Sequence, residues 1–255
     1  MFVVVIYGWR EETPEMVQAL ADALGIIVFE ARQRLIGGGP SVVAGFADQQ
    51  QASVLAEKLC RVGINALIVD AAAVRLRSGF FIVRHFKFEE SVLKIEAHDG
   101  QQETLPYAQM RLILTGISVV GISETKTTVE KKFSMGKTLL SGGIPMTKKV
   151  VHQEKVSSED SEEILYLYAH ERPTAVLSLT GMNYDGFGAE MKLSRKLNFS
   201  HLISQLRLHA PGAAFDDRLL NRSNQVRLLG SAVGREASLD LAAEILARCV
   251  LTGTG

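Results

Sequence analysis

The sequence predicts an α+β fold in two domains. Up to about residue 78, strand-like and helix-like segments follow one another in the order βαββαβ. From residue 79 onward, strand-like segments follow each other directly, and amphipathic helices come last. Of the 255 residues, 47% are apolar and 22% charged, which is globular composition with enough apolar surface for a core. We therefore predict domains at residues 1–78 and 79–255.

The first half of the N-terminal domain has clear helix signals. Phe2 to Tyr7 is apolar and β-branched, as expected of a strand. The triplet Thr13-Pro14-Glu15 offers an N-cap, a proline in the first turn and an acid that favours the helix dipole, and Gly25 ends the helix. The apolar start of Ile26 to Arg34 favours a second strand.

The second half of the N-terminal domain again alternates strands with a helix. Ser41 to Phe46 is interpreted as a strand that pairs with the preceding one in a hairpin over the glycine-rich turn. Asp48 begins a helix, and Ile64 to Val69 is the fourth strand. The order βαββαβ is the split βαβ, or ferredoxin-like, plan.

The segment "GPSVVAGFAD", with the helix and strand that follow it, resembles ferredoxin-like regulatory domains of the ACT type. The resemblance covers about a quarter of the chain and rests on pattern. It implies a domain that pairs edge to edge and holds a small effector at the pairing interface. It also implies a ligand-contacting glycine near the first strand–helix junction, where this chain has Gly8.

The glycine-rich turn offers a second candidate binding site. Consecutive backbone N–H groups of Gly37, Gly38 and Gly39 could form a nest for an anion, with Arg32 and Arg34 close by. A hairpin tip with solvated arginines is the alternative interpretation.

The C-terminal domain is predicted to be an antiparallel β structure. Phe80 to Phe88 alternates apolar and polar residues, and Asp99-Gly100 is a strong hairpin turn. Ile164 to His170 and Ala175 to Thr180 form a further hairpin. A helix capped by Asn198 follows.

Consecutive antiparallel strands closed by an amphipathic helix resemble a PH-like barrel. The resemblance implies a binding or scaffolding module. PH-like domains bind phosphoinositides through basic residues of their first hairpin loop, whereas here that loop, Phe88 to Ser91, is acidic. The last helix, within residues 231–255, is expected either to pack on the barrel or to be covered by a second subunit.

Residues 122–163 are predicted to form a lysine-rich loop. Seven lysines stand against three acids between Ile122 and Lys155. The favoured interpretation is a solvated β-arm, followed by a partner-binding loop or a phosphate-contacting membrane module. Nucleic acid is not expected, because the formal net charge is zero and aromatic residues are not interleaved. The candidate partner residues are Lys131, Lys132, Lys137, Lys148 and Lys149.

The motifs of catalysis are incomplete. Gly136-Lys137-Thr138 resembles the end of a phosphate-binding loop, but Lys131 occupies the position of the required first glycine. The histidines lack the spacing of a zinc-binding helix, so neither a metal nor a cofactor is predicted. Asp185, within Asn183 to Gly188, could act as a base or bind a cation, although that composition is also typical of a turn.

The sequence therefore favours a non-catalytic regulatory or scaffolding module. It would bind a protein partner or a small-molecule effector, and an enzyme with a site near Asp185 is the alternative. No signal peptide or membrane span is recognised, so a cytoplasmic location is expected. A homo-oligomer is also expected, in keeping with the edge-to-edge pairing that the ACT-type resemblance implies. Cys60 and Cys249 lie in apolar helical contexts and are predicted to be buried thiols.

Overall fold

The computed structural model describes residues 1–9, 11–76, 79–133, 147–234 and 238–253, with side chains described outside 119–133 and 147–160. The chain forms two compact units, one of residues 1–118 with 162–255 and the other of residues 119–161. The fold is mixed α+β and contains a three-stranded and a seven-stranded sheet. The predicted α+β class is thus confirmed, whereas the boundary near residue 78 stays a prediction.

The three-stranded sheet is antiparallel and has the order β2-β1-β3. Helices connect its strands. The elements are β1 (Phe2–Ile6), α1 (Pro14–Leu24), α2 (Val28–Leu35), β2 (Ser41–Phe46), α3 (Gln49–Arg61), β3 (Ala66–Asp70) and α4 (Ala71–Arg75). Helix α1 begins as predicted, because Thr13 accepts a hydrogen bond from the Met16 N–H and Gly25 takes a left-handed C-cap.

The predicted strand at Ile26 to Arg34 is wrong, because this segment contains helix α2. Ala31 and Leu35 are buried one helical turn apart, whereas Gln33, which a strand would place on the same face as both, is exposed. The residues from Glu30 onward are good helix formers, and they outweigh the apolar Ile26 to Phe29. The glycine-rich turn therefore joins a helix to a strand and is not a hairpin tip.

The seven-stranded sheet has the order β10-β7-β8-β9-β4-β5-β6. Two pairings, β4 with β9 and β7 with β10, are parallel, so the purely antiparallel domain predicted for residues 79–255 is wrong. Parallel neighbours require long crossover connections, which the strand pattern alone does not reveal. The strands are β4 (Phe80–Phe88), β5 (Val92–Ala97), β6 (Gln102–Pro106), β7 (Met110–Phe133), β8 (Thr147–Ala169), β9 (Thr174–Ser178) and β10 (Ala214–Leu219).

Among the described residues, the α-helices after β9 are α5 (Arg195–His209), α6 (Arg222–Leu229) and α7 (Leu239–Gly253). Short 3-10 helices span Tyr107–Gln109 and Asp185–Glu190. The cap of α5 is Ser194, whose Oγ accepts a hydrogen bond from the Leu197 N–H, and not Asn198 as predicted.

Helix α7 lies in the core between the two sheets. One buried cluster joins its Ala242, Ile245 and Leu246 to Val3 of β1 and Leu112 of β7. The other face of the three-stranded sheet packs against α1 to α3 in a second cluster. The other face of the seven-stranded sheet packs against α5 in a third cluster. Strand β1 alternates between clusters, with Val3 and Val5 in one and Val4 and Ile6 in the next, which explains its uninterrupted apolar sequence. The last helix thus packs within the fold.

The described residues of the lysine-rich segment, 122–133 and 147–163, have strand backbone. Strand β7 extends to Phe133 and β8 begins at Thr147, so Lys131, Lys132, Lys148 and Lys149 have strand backbone. Lys137 lies outside the described residues. Across the described chain, no helix combines the length and apolarity needed to cross a bilayer.

Candidate functional site

A groove of about 460 Å³ lies where α2, the start of β2 and α6 meet. Its volume falls in the range of small-molecule sites, roughly 300–1,000 Å³. Polar side chains dominate its lining: Glu30, Gln33, Arg34, Ser41, Arg227 and Ser231. The structure therefore brings the predicted Arg34 together with residues that are nearly 200 positions away in sequence.

Gly37 lies directly beneath the guanidinium of Arg227. A Cβ atom at Gly37 would overlap Nη1 of Arg227, so a side chain there would displace the guanidinium from its present position. Gly37 and Gly38 also have φ of +84° and +69°, in the left-handed region that favours glycine. The turn is thus shaped to receive Arg227.

Gly39 supports the other side of the same turn. A Cβ atom there would overlap the ring of Trp9, whose Nε1 donates a hydrogen bond of 2.9 Å to the Leu35 carbonyl at the end of α2. The turn is therefore held between Trp9 and Arg227, which explains why it is rich in glycine.

The groove carries two cations and one anion. Arg34 donates one hydrogen bond from Nη1 to the Val43 carbonyl, at 3.0 Å. Within the described part of the chain, neither Arg34 nor Arg227 has a carboxylate at ion-pair distance, and Glu30 is equally without a cation. Ser41 is only 5% exposed and places a hydroxyl in the same wall. These groups could bind a carboxylate or phosphate through guanidinium hydrogen bonds.

The other predicted binding residues lie elsewhere. Arg32 forms an ion pair with Glu12 at 2.8 Å and does not line the groove. Gly8 follows β1 with φ of +85°, and a Cβ atom there would lie 3.0 Å from Nδ2 of Asn65. Gly8 thus has a structural explanation, and its role in ligand contact stays a prediction.

Asp185 lies in a local turn. Its carboxylate accepts a hydrogen bond from Nδ2 of Asn183 at 2.9 Å, and its N–H donates to Oδ1 of Asn183. The adjacent Gly186 packs against the backbone of β4, where a Cβ would overlap the Phe86 carbonyl oxygen. These contacts explain the Asn183 to Gly188 composition by structure, and a chemical role for Asp185 stays a prediction.

A second cavity, of about 280 Å³, lies on strands β4, β5 and β6. Its charges are largely compensated by neighbours. Lys87 and Lys94 both contact Glu89, at 3.6 and 3.0 Å, and the interaction with Lys94 lowers the pKa of that carboxyl. Glu103 likewise pairs with Arg172 at 2.6 Å. We therefore rank the groove at Arg227, whose cations lack such partners, as the better ligand site.

Side chains with shifted pKa values do not indicate nucleophilic catalysis. Burial raises the pKa of Cys249 to about 12, so its thiol stays protonated at neutral pH. Burial likewise raises the pKa of Tyr184 to about 12. Cys60 is exposed, contrary to its prediction as a buried thiol, because the apolar stripe of α3 runs through Ala52, Ala56 and Leu59. Among the described residues, no group of three His, Cys, Asp or Glu side chains is placed to hold a metal ion.

No protein-family model, curated protein or solved structure matches this chain.

Sequence reasoning missed Arg227. The residue belongs to α6, and no local motif marks it. The glycines that Arg227 approaches did carry a signal. A run of three glycines indicates a close approach by another group as well as a turn.

Proposed function

We propose that the protein is a non-catalytic binding module and that the groove between α2, β2 and α6 takes a small anionic metabolite. The observation that carries this proposal is the guanidinium of Arg227, which lies on Gly37 without a carboxylate partner among the described residues. An unpaired arginine beside a second one in the same groove leaves positive charge that an anion would neutralise.

The charges of the groove favour an α-amino acid within this class of ligand. A ligand carboxylate would bind Arg227 and Arg34, and its ammonium group would face Glu30. Ser41 and Ser231 would supply hydroxyl groups at the edges. An amino acid would neutralise both the two arginines and Glu30. A simple phosphate would leave Glu30 unpaired and close to another anion.

The regulatory part of the proposal includes an ACT-like domain at residues 1–78 and a homo-oligomer. In the ferredoxin-like plan the first strand lies between the third and the fourth, and β1 lies between β2 and β3 in the corresponding order. The second strand of that plan is replaced by α2. The shared strand order supports the ACT-like part of the proposal, and light scattering of the purified protein would test the oligomer.

Ligand binding can be tested by thermal unfolding of the full chain against proteinogenic amino acids, dicarboxylates and inorganic phosphate. A ligand at a hundred times its dissociation constant adds about 2.7 kcal/mol of stability. We expect a dose-dependent rise in Tm with one or a few amino acids. Arg227→Gln should abolish the rise, because it removes the unpaired guanidinium.

Arg61→Gln is the matched control, because Arg61 is exposed on α3, does not line the groove and pairs with Glu57 at 3.3 Å. It should keep the response. The proposal is wrong if no compound shifts the Tm, or if Arg227→Gln responds like the unmodified chain.

A further inference from the structure

The charges that line the groove between α2, β2 and α6 do not cancel. Arg34 and Arg227 contribute two positive charges and Glu30 contributes one negative charge, while the remaining lining residues are uncharged. The neighbouring Arg32 forms its ion pair with Glu12 and adds no net charge. The lining therefore has one positive charge in excess, and a ligand with one net negative charge would balance it.

Both arginines have N–H groups left for a ligand. A guanidinium has five N–H donors. Arg34 uses one of them on the Val43 carbonyl, at 3.0 Å, and Arg227 has no acceptor within the part of the chain that the structure describes. Each guanidinium can therefore bind a carboxylate of its own through charge-assisted hydrogen bonds, which are frequently bidentate.

The rest of the lining offers little to an apolar ligand group. Its apolar side chains are Val42, which is 1% exposed and presents almost no surface, and Val226, which is 64% exposed and cannot enclose a ligand. An apolar group gains affinity by leaving water, and neither valine removes it from water. Gln33, Ser41 and Ser231 supply amide and hydroxyl groups instead, so the lining favours a polar ligand.

We propose that the ligand of this groove is an acidic α-amino acid, aspartate or glutamate, an inference that rests on the proposed function and narrows it. The α-carboxylate would bind Arg227, the side-chain carboxylate would bind Arg34, and the ammonium group would face Glu30. At neutral pH such a ligand has one net negative charge, which balances the excess of the lining. A neutral amino acid has a single carboxylate and leaves that excess uncompensated.

Isothermal titration calorimetry of the full chain with two pairs of ligands tests the proposal. Glutamate is compared with glutamine, and aspartate with asparagine, because the members of each pair have nearly the same shape and differ in one ionised carboxylate. We expect at least one acid to bind about tenfold more tightly than its amide, the usual effect of a hydrogen bond between ionised groups. Added salt should reduce this preference.

A second comparison tests the contribution of Glu30. Succinate and glutarate have the two carboxylates of aspartate and glutamate but lack the ammonium group. They would place two anions beside Glu30 without the cation that pairs with it. We expect them to bind about tenfold more weakly than the corresponding amino acids.

Arg34→Gln tests which residue binds the second carboxylate. Within this variant, the preference for the acid over its amide should fall from about tenfold to about twofold or less, because the guanidinium that distinguishes them is gone. A general loss of stability would weaken both ligands alike, so the ratio isolates the charge. Arg61→Gln, on α3 and outside the groove, is the control and should keep the preference.

The results that contradict this inference differ from those that contradict the proposed function. Amides or apolar amino acids that bind as tightly as the acids would overturn the acidic ligand and leave the proposed function standing. An acid preference that survives Arg34→Gln would overturn it as well, as would succinate or glutarate that binds as tightly as its amino acid. The absence of binding by all of these compounds would overturn both.

Discussion

Gly186 is the residue at which the 3-10 helix Asp185–Glu190 touches β4. Its backbone lies so close to Phe86 that a Cβ would overlap the Phe86 carbonyl oxygen. A backbone hydrogen bond from the Asn183 N–H to the Arg84 carbonyl, at 2.8 Å, supports this contact. Because both partners are backbone, neither can move aside as a flexible side chain would.

Gly186→Ala should therefore lower the free energy of unfolding by about 1–3 kcal/mol or more, the usual cost of overpacking. Gly212→Ala is the control, since a Cβ at Gly212 has nothing within 4 Å, and it should change stability by no more than about 0.5 kcal/mol. Urea unfolding of both variants measures the difference. Equal stability of the two variants would show that the contact at Phe86 is not tight.

At the scale of elements, α7 determines how the two sheets pack. Its apolar residues fill the layer between the sheets, while Asp240, Glu244 and Arg248 form a polar stripe at helical spacing. The charged groups of the stripe pair with neighbours, and Arg248 lies exposed at the surface. Asp240 accepts a 2.6 Å hydrogen bond from the Tyr166 hydroxyl, and Arg248 pairs with Glu244 at 2.7 Å.

Ile245→Ala should therefore destabilise the fold strongly. Ile245 is fully buried in this layer, and a large-to-small change in a core costs about 2–5 kcal/mol, which includes the cavity left behind. Leu208→Ala removes a similar side chain from an exposed site on α5 and should have a small effect. A loss below about 1 kcal/mol for Ile245→Ala would contradict the central position of α7.

At the scale of the molecule, residues on both sides of position 78 share one buried cluster. Val3, Val5 and Val69 contact the same layer as Leu112, Leu114 and Tyr166. Cooperative unfolding is expected where domains share a core rather than a small polar interface.

The single tryptophan and the buried thiol allow this cooperativity to be measured. Trp9 fluorescence reports on the N-terminal part, and labelling of Cys249 reports on α7, in a Cys60→Ser background that removes the exposed thiol. Both signals should give the same urea midpoint. Separate midpoints would favour two independent domains, as predicted from the sequence.

Most local structure was predictable because its signals are local. The cap at Thr13, the stop at Gly25, the Asp99-Gly100 turn and the pairing of β8 with β9 follow the predicted pattern. Helix α2 was missed because Ile26 to Phe29 is apolar and β-branched in sequence, while only packing shows that Val28 and Phe29 stay exposed.

The candidate groove was only half predictable. Arg34 and the three glycines were identified from local composition, but Arg227 reaches them from α6 through tertiary contacts.

The sequence by itself determined the α+β class, the position of most strands and helices, and the absence of complete catalytic motifs, because each of these depends on neighbours within a few residues. The tertiary structure alone decided the parallel pairings, the central place of α7 and the meeting of Arg34 with Arg227. Those features depend on contacts between residues far apart in the chain, and periodicity and composition carry no information about such pairs.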